Sequence, residues 1–158
     1  VLGTCSSEEK AALVREADAD RVVRYTREDF VAAARAATGG RGVDVVYDGV
    51  GRATFDGSLA SLRPRGLLVC FGQASGPVPP FDLQRLNAGG SLMVTRPSLA
   101  HFTATREELE ERAGAVLEAI ADGWLRVRIG ARFPLERAAD AHRALEGRAT
   151  TAKVLLLP

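Results

Sequence analysis

Val43-Asp44-Val45-Val46-Tyr47-Asp48-Gly49-Val50-Gly51 decides how this chain is read. Four of its first five residues are apolar and three are β-branched, which suits a strand buried on both faces of a parallel sheet. Asp48-Gly49-Val50-Gly51 then ends the strand, and glycines at a strand end let a ligand come close to the backbone. Helical spacing follows from about Ala53 to Leu62, with Phe55, Leu59 and Leu62 on one side. Arg63-Pro64-Arg65-Gly66 is a turn. Leu67–Phe71 is the next buried strand, and it also closes on a glycine, in Phe71-Gly72-Gln73.

The same alternation extends toward the start of the chain. Val1–Thr4 is a short strand, and Ser6-Ser7-Glu8-Glu9 reads as a capping box, Ser6 facing Glu9, that opens a helix to about Ala17. Arg21–Tyr25 is a strand. Thr26 is the expected cap of a second helix, in which Phe30, Val31, Ala34 and Ala37 keep helical spacing until Thr38-Gly39-Gly40. The order β-α-β-α-β-α-β implies a parallel, doubly wound sheet with right-handed connections.

Toward the other end, a Pro/Gly loop from Gly76 to Pro80 leads to a short helix over Phe81–Asn87 and a strand over Ser91–Thr95. The character then changes. Thr105-Arg106-Glu107-Glu108 is a second capping box, opening a long helix with Leu109, Ala113, Val116, Leu117 and Ile120 on one face and Gly123 at its end. Trp124–Ile129 reads as a strand, Glu136–Glu146 as a helix and Val154–Leu157 as a last strand. The expected division is 1–98, a partial nucleotide-binding domain, and 99–158, a C-terminal segment.

Bulk properties exclude several classes. The 158 residues are 46% hydrophobic and 26% charged, ordinary for a globular protein, and the net charge is +1. No run of Lys or Arg offers a footprint for nucleic acid. No apolar stretch approaches the ~18 residues needed to cross a bilayer, so a soluble, cytoplasmic protein is expected. Cys5 and Cys70 belong to no CxxC pair, and His101 and His142 are distant from both. They read as buried packing residues, with no metal site expected. The absence of a G-x-S-x-G elbow argues against a hydrolase.

Open α/β sheets bind ligands at the carboxyl ends of their strands. After Val1–Thr4 the chain presents Cys5, Ser6 and Ser7, with Lys10 one turn into the helix. An NAD-selective protein places an acidic residue there for the ribose hydroxyls. Hydroxyls, a cation and a helix N-terminus suit a 2′-phosphate instead. The same residues also read as an ordinary helix cap beside a surface lysine. At the next strand ends, Gly49 and Gly72 mark a possible binding crevice.

The stretch Ala37-Thr38-Gly39-Gly40-Arg41-Gly42-Val43 through Gly51 resembles the TGG-x-GVDVVYDxVG segment of zinc-free quinone oxidoreductases. These are the zeta-crystallin-like branch of the medium-chain dehydrogenase/reductase superfamily. Arg65-Gly66-Leu67, Phe71-Gly72, Val94-Thr95-Arg96-Pro97-Ser98-Leu99 and Leu145-Glu146-Gly147-Arg148-Ala149-Thr150 extend the resemblance over nearly the whole chain. It implies a Rossmann-type fold, an NADPH cofactor, hydride transfer to a quinone or activated enone, and a homodimeric parent. It implies 2′-phosphate contacts from Ser6, Ser7 and Lys10, and Tyr25 beside the adenine. Phe71, Gly72 and Gln73 match the group near the nicotinamide, and Arg148 an arginine near the phosphates. Gly49 stands where relatives often carry a small hydroxyl residue. Arg96-Pro97-Ser98 matches a dimer-contact motif, while an ordered turn is the plainer alternative. Asp18 and Ala152 replace glycines of the family.

The resemblance also implies that the sheet is incomplete at its N-terminus. The family begins with a strand, a Gly-rich turn and a helix that hold the pyrophosphate, and the chain opens at what matches strand two. The only methionine is Met93, so a partial chain is expected. In the order 3-2-1-4-5-6 the first strand is central. Without it, strands 3-2 separate from 4-5-6 and two inner edges lose their partners. Marginal stability, weak NADPH binding and no assignable catalytic residue are the expectations for this chain alone. Two other readings stand beside the oxidoreductase part: a non-catalytic nucleotide-binding or interaction module, and an enoyl-reductase piece of a larger synthase.

Overall fold

The computed structural model describes residues 1–147 and 150–158. They divide into two compact units, Val1–Leu99 and Ala100–Pro158.

The first unit alternates as the sequence pattern requires: β1 (Leu2–Cys5), α1 (Glu8–Glu16), β2 (Arg21–Arg24), α2 (Phe30–Ala37), β3 (Val43–Asp48), α3 (Phe55–Ser61), β4 (Leu62–Cys70), α4 (Gln84–Ala88) and β5 (Met93–Thr95). Each ladder is parallel. β1 pairs with β2, Leu2 opposite Arg21 and Cys5 opposite Arg24. β4 lies between β3 and β5, with Asp48 opposite Cys70 and Leu68 opposite Val94. The described residues form no ladder between β1 and β3. This is the split expected of the 3-2-1-4-5-6 order without its central strand.

A shared layer of helices joins the two parts. The Arg35 guanidinium of α2 donates to the carbonyls of Ala60, at 2.8 Å, and Leu62, at 3.3 Å. The Phe30 ring covers Gly57 of α3 so closely that any side chain there would collide with it. The core proper lies around β4, where Phe55, Leu59, Leu62, Leu68, Cys70 and Leu92 are buried together. Phe55 and Phe81 meet with ring centroids 5.0 Å apart and planes tilted by 59°, a geometry favoured by the ring quadrupoles. Burying side chains of this size contributes about 1.5–3 kcal/mol each.

Several details differ from the sequence reading. Ser7, not Ser6, caps α1, and its side chain accepts the Lys10 N–H. Thr26 caps nothing: its hydroxyl donates to the Ser6 carbonyl, because a turn closing on the Arg24 carbonyl delays the helix. Asp29 caps α2 instead, accepting from Val31 and Ala32. The turn at residues 63–66 is absorbed into β4, where the register jumps from Val43–Leu62 to Val45–Leu67. The largest departure concerns β3. Expected to be buried on both faces, it leaves Val45 40% and Tyr47 73% exposed, and among the described residues it pairs with β4 alone.

The second unit contains α6 (Arg106–Ala121), β6 (Ile129–Pro134), α7 (Ala138–Glu146) and β7 (Lys153–Leu157), preceded by the short α5 (Leu99–Phe102) across the unit boundary. Thr105 and Glu108 form the expected capping box on α6. The expected apolar face of α6 is exposed at Leu109, Val116, Leu117 and Ile120, and only Ala119 is buried. The strand read at 124–129 forms five residues later, at Ile129–Pro134, where half-buried Ala131 and Phe133 alternate with exposed residues. It runs parallel to β7. Asp18 and Ala152 adopt left-handed φ values of 59° and 71°, as expected where they replace glycine.

Candidate functional site

Two groups of residues gather at the carboxyl ends of the strands. The first stands at β1 and β2. Ser7 is extended, with φ −138°, so its Oγ can turn back and accept the Lys10 N–H at 3.3 Å. The Tyr25 N–H donates to the Cys5 carbonyl at 3.1 Å, and the Cys5 thiol to the Ser7 carbonyl at 3.5 Å. Ser6, Ser7, Lys10 and Tyr25 are thereby brought together around the start of α1.

The N-terminus of that helix carries partial positive charge and unsatisfied N–H groups. Glu8 in its first turn opposes this, but Arg15, at 3.1 Å, and Arg24, at 2.9 Å, both engage the Glu8 carboxylate. Among the described residues no ion pair is recorded for Lys10. Its charge is available to an anion. The sequence reading missed Arg24, which looked like an ordinary strand residue; a cation at the last position of a strand was the available signal.

The second group stands at β3 and β4, and Asp48 organises it. Asp48 is 4% exposed. Its Oδ1 accepts the N–H groups of Val50 and Gly51 at 2.8 and 3.0 Å. The Thr54 and Ser58 hydroxyls both donate to Oδ2 at 2.8 Å. Burial pushes this carboxyl up, but the donors on Gly51, Ser58, Thr54 and Val50 outweigh it and hold the group below its ordinary value. Asp48 is therefore an anion that fixes the turn into α3. The sequence signal was an Asp followed by Gly-x-Gly and then hydroxyl residues.

That turn is locked to the one after β4. Ala74 and Ser75 N–H groups donate to the carbonyls of Gly49 and Val50 at 3.2 and 2.8 Å. The N–H groups of Phe71 and Gly72 both donate to the Asp48 carbonyl. Gly49 lies under the Phe71 ring, where a Cβ would stand 3.0 Å from Cζ. A hydroxyl residue at this position would push the ring aside, which accounts physically for glycine here. Gly49, Phe71, Gly72 and Gln73 thus form one surface.

A cavity of about 430 Å³ opens beside it, lined by Phe55, Cys70, Gly72, Gln73, Pro79 and Arg96 among others. Burial first, and the Asp48 charge second, push the Cys70 thiol up, with Arg96 pulling the other way. The thiol stays protonated at neutral pH. A larger cavity of about 630 Å³ runs between β1 and β3, touching Thr4, Ala34, Asp48 and Ser58. Arg148 lies outside the described residues. Among the described residues, no cluster of three or more His, Cys, Asp or Glu is placed to hold a metal ion, and no helix is long and apolar enough to cross a membrane.

Comparison with known proteins places these features in context. A family model described as zinc-binding dehydrogenase matches residues 17–156. The chain is 44% identical to quinone oxidoreductase 1 of Escherichia coli over 160 aligned residues, covering 100% of the chain and 49% of that protein. It is 41% identical to a 2-haloacrylate reductase of Burkholderia, covering 48% of that protein. The chain spans about half the length of the curated relatives it matches. Among solved structures, a mycobacterial protein complexed with NADPH superposes with a TM-score of 0.94 at 52% identity, over 100% of this chain and 50% of that one. The E. coli quinone oxidoreductase complexed with NADPH also gives 0.94, at 44% identity over 99% and 49%.

Proposed function

The chain belongs to the zinc-binding dehydrogenase family, and on that premise we propose that it is the nucleotide-binding part of an oxidoreductase that moves hydride from NADPH to a quinone or activated enone. Residues 1–98 are the NADPH-binding domain in this reading, and 99–158 are a segment serving the catalytic part of the whole protein.

The observation that carries the proposal is the pair of residue groups at the carboxyl ends of four parallel strands. The first group fits a 2′-phosphate. Cys5, Ser6 and Ser7 occupy the end of β1 where a carboxylate would select the unphosphorylated ribose, Lys10 enters no ion pair among the described residues, and two arginines draw off the Glu8 carboxylate. Ser6, Ser7 and Lys10 hold the phosphate, and Tyr25 flanks the adenine. Gly49, Phe71, Gly72 and Gln73 line the nicotinamide end, where the Asp48 network keeps the backbone in place. Arg148 serves the phosphates between. When bound, NADPH supplies the hydride; the chain supplies binding, orientation and electrostatics.

The acceptor is an electron-poor unsaturated compound, supported by relatives named for a quinone and for a halogen-substituted acrylate. The same reading makes the whole protein a cytoplasmic homodimer, with Arg96-Pro97-Ser98 beyond β5 at the contact.

Titration of the chain with NADPH and with NADH, followed by nicotinamide fluorescence, tests the proposal. Weak binding with about a tenfold preference for NADPH, near 1.4 kcal/mol, is the expected result. Equal affinities would remove its basis.

A further inference from the structure

Arg24 closes β2 beside the first residue group, and we propose that it determines specificity there: its guanidinium passes from the Glu8 carboxylate to the 2′-phosphate when the nucleotide binds. This role rests on the reading of Ser6, Ser7 and Lys10 as phosphate ligands, and it adds two residues which that reading leaves without a part in binding. In the parallel register Arg24 stands opposite Cys5, the last residue of β1. Beyond that point the two chains stay together. The Tyr25 N–H donates to the Cys5 carbonyl at 3.1 Å, and the Thr26 hydroxyl to the Ser6 carbonyl at 3.0 Å. The Arg24 side chain then reaches Glu8, with Nη1 2.9 Å from Oε2, and Glu8 directly follows the Ser7 cap. Arg24 is thereby held at the first turn of α1, the turn that carries Ser7 and Lys10.

Glu8 is a partner that Arg24 can leave. Its side chain is 61% exposed, and exposed ion pairs are weak. Among the described residues it is also the one acceptor that the Arg24 guanidinium meets, so the exchange breaks a single contact. Arg15 holds the other carboxylate oxygen at 3.1 Å and still neutralises Glu8 after Arg24 has gone. The Arg24 backbone is fixed independently: its N–H donates to the Glu28 carboxylate, and its carbonyl accepts from Arg27 and Glu28. A phosphate monoester carries more charge than a carboxylate and fits the guanidinium fork with two parallel bonds. A phosphate seated on Ser6, Ser7 and Lys10 therefore outcompetes Glu8.

Glu8 accordingly limits the affinity. It sets a negative charge beside the incoming phosphate and competes with it for a cation. The two members of one ion pair thus act in opposite directions: Arg24 favours the phosphate and Glu8 opposes it. An ion pair that served only the fold would give losses of the same sign from either side. Arg21, at the other end of β2, does not share this role, since it gives its guanidinium to the Ala33 carbonyl of α2 at 3.5 Å.

Fluorescence titration of the chain with NADPH and with NADH tests this, alongside thermal unfolding of each variant. Arg24→Gln is expected to weaken NADPH about tenfold. Glu8→Gln is expected to tighten it about two- to fivefold, with NADH close to the parent in both. Arg24→Lys keeps the charge without the fork and should fall between the parent and Arg24→Gln, which carries the test if the glutamine variant unfolds. Weaker NADPH binding in both Arg24→Gln and Glu8→Gln would overturn the proposal, as would equal losses for the two nucleotides in Arg24→Gln; either result gives the pair to the fold. So would NADPH binding at the parent's strength in either variant. The underlying reading is judged apart, on the parent and Lys10→Gln. A parent with no preference for NADPH removes both ideas, whereas a preference that Lys10→Gln abolishes and Arg24→Gln leaves intact removes only the role of Arg24.

Discussion

Gly72 rests against the backbone of Gly49: a Cβ at Gly72 would stand 2.5 Å from the Gly49 carbonyl oxygen and 2.8 Å from its Cα. These two residues end neighbouring strands, and their contact sets how close the two turns can lie. Gly72→Ala forces backbone against backbone, with no flexible side chain to yield. A loss of about 1–3 kcal/mol in unfolding free energy is expected, as for overpacking elsewhere. Urea titration measures it, and a change within experimental error would mean that the two turns are not locked.

Asp48 gives the same region its acid sensitivity. Its folded pKa is depressed below 3.8, so its contribution to stability is present above about pH 4 and is lost as the pH falls through the folded value. Asp48→Asn removes the charge and turns an amide donor toward the Thr54 or Ser58 hydroxyl. The expected cost at pH 7 is about 1–3 kcal/mol. The variant should also lose less stability than the parent between pH 5 and pH 3, read as a smaller shift of the urea midpoint. An unchanged pH dependence would assign the acid sensitivity to other carboxylates, such as Asp44, which Arg41 and then Arg63 hold well below the usual range.

The alternation of apolar runs with helical spacing made the first unit legible, because a parallel sheet and its covering helices impose two different periods on the sequence. The break between β1 and β3 was legible for another reason: strand order follows from the resemblance, and a central strand cannot be absent without opening the sheet. The exposure of Tyr47 was not, since an apolar run reads the same whether its neighbour is present or missing. Caps were displaced by a residue or more, as at Ser7 and Asp29, because several hydroxyl and carboxylate residues compete for each helix start. The strand near Trp124 failed similarly. Leu125, Val127 and Ile129 alternate with arginines, and the chain uses only the end of that alternation because pairing with β7 fixes where β6 begins. Arg24 escaped notice because its partner, Glu8, lies on another element, which spacing along the chain does not reveal; the role of Asp48 did have a local signal, in the glycines and hydroxyl residues that follow it.

Ala152 offers a stabilising change. Its φ of 71° lies in the left-handed region, which costs an alanine about 1–2 kcal/mol. Glycine removes that cost but loses about 0.5–1 kcal/mol to its freer unfolded chain. Ala152→Gly should therefore raise stability by up to about 1 kcal/mol, and the same change at Ala33, buried within α2, should lower it. Thermal unfolding of the two variants gives shifts of opposite sign; a fall in both would mean that the strand start at Lys153 tolerates alanine without strain.

Lys10→Glu separates the phosphate reading from the plain helix cap. The side chain is half-buried beside Ser7, and its N–H, not its ammonium, completes the cap. The backbone bond survives the substitution, and a glutamate in the first turns of a helix is favourable to its dipole. Stability should thus hold or rise slightly. Binding should respond in the opposite direction. A carboxylate facing the 2′-phosphate is expected to weaken NADPH by about tenfold or more, or at least 1.4 kcal/mol, while NADH affinity stays close to that of the parent. Added salt should narrow the difference between parent and variant, since a screened charge pair weakens with ionic strength. Equal losses for both nucleotides would place Lys10 in the fold rather than in the recognition of the phosphate.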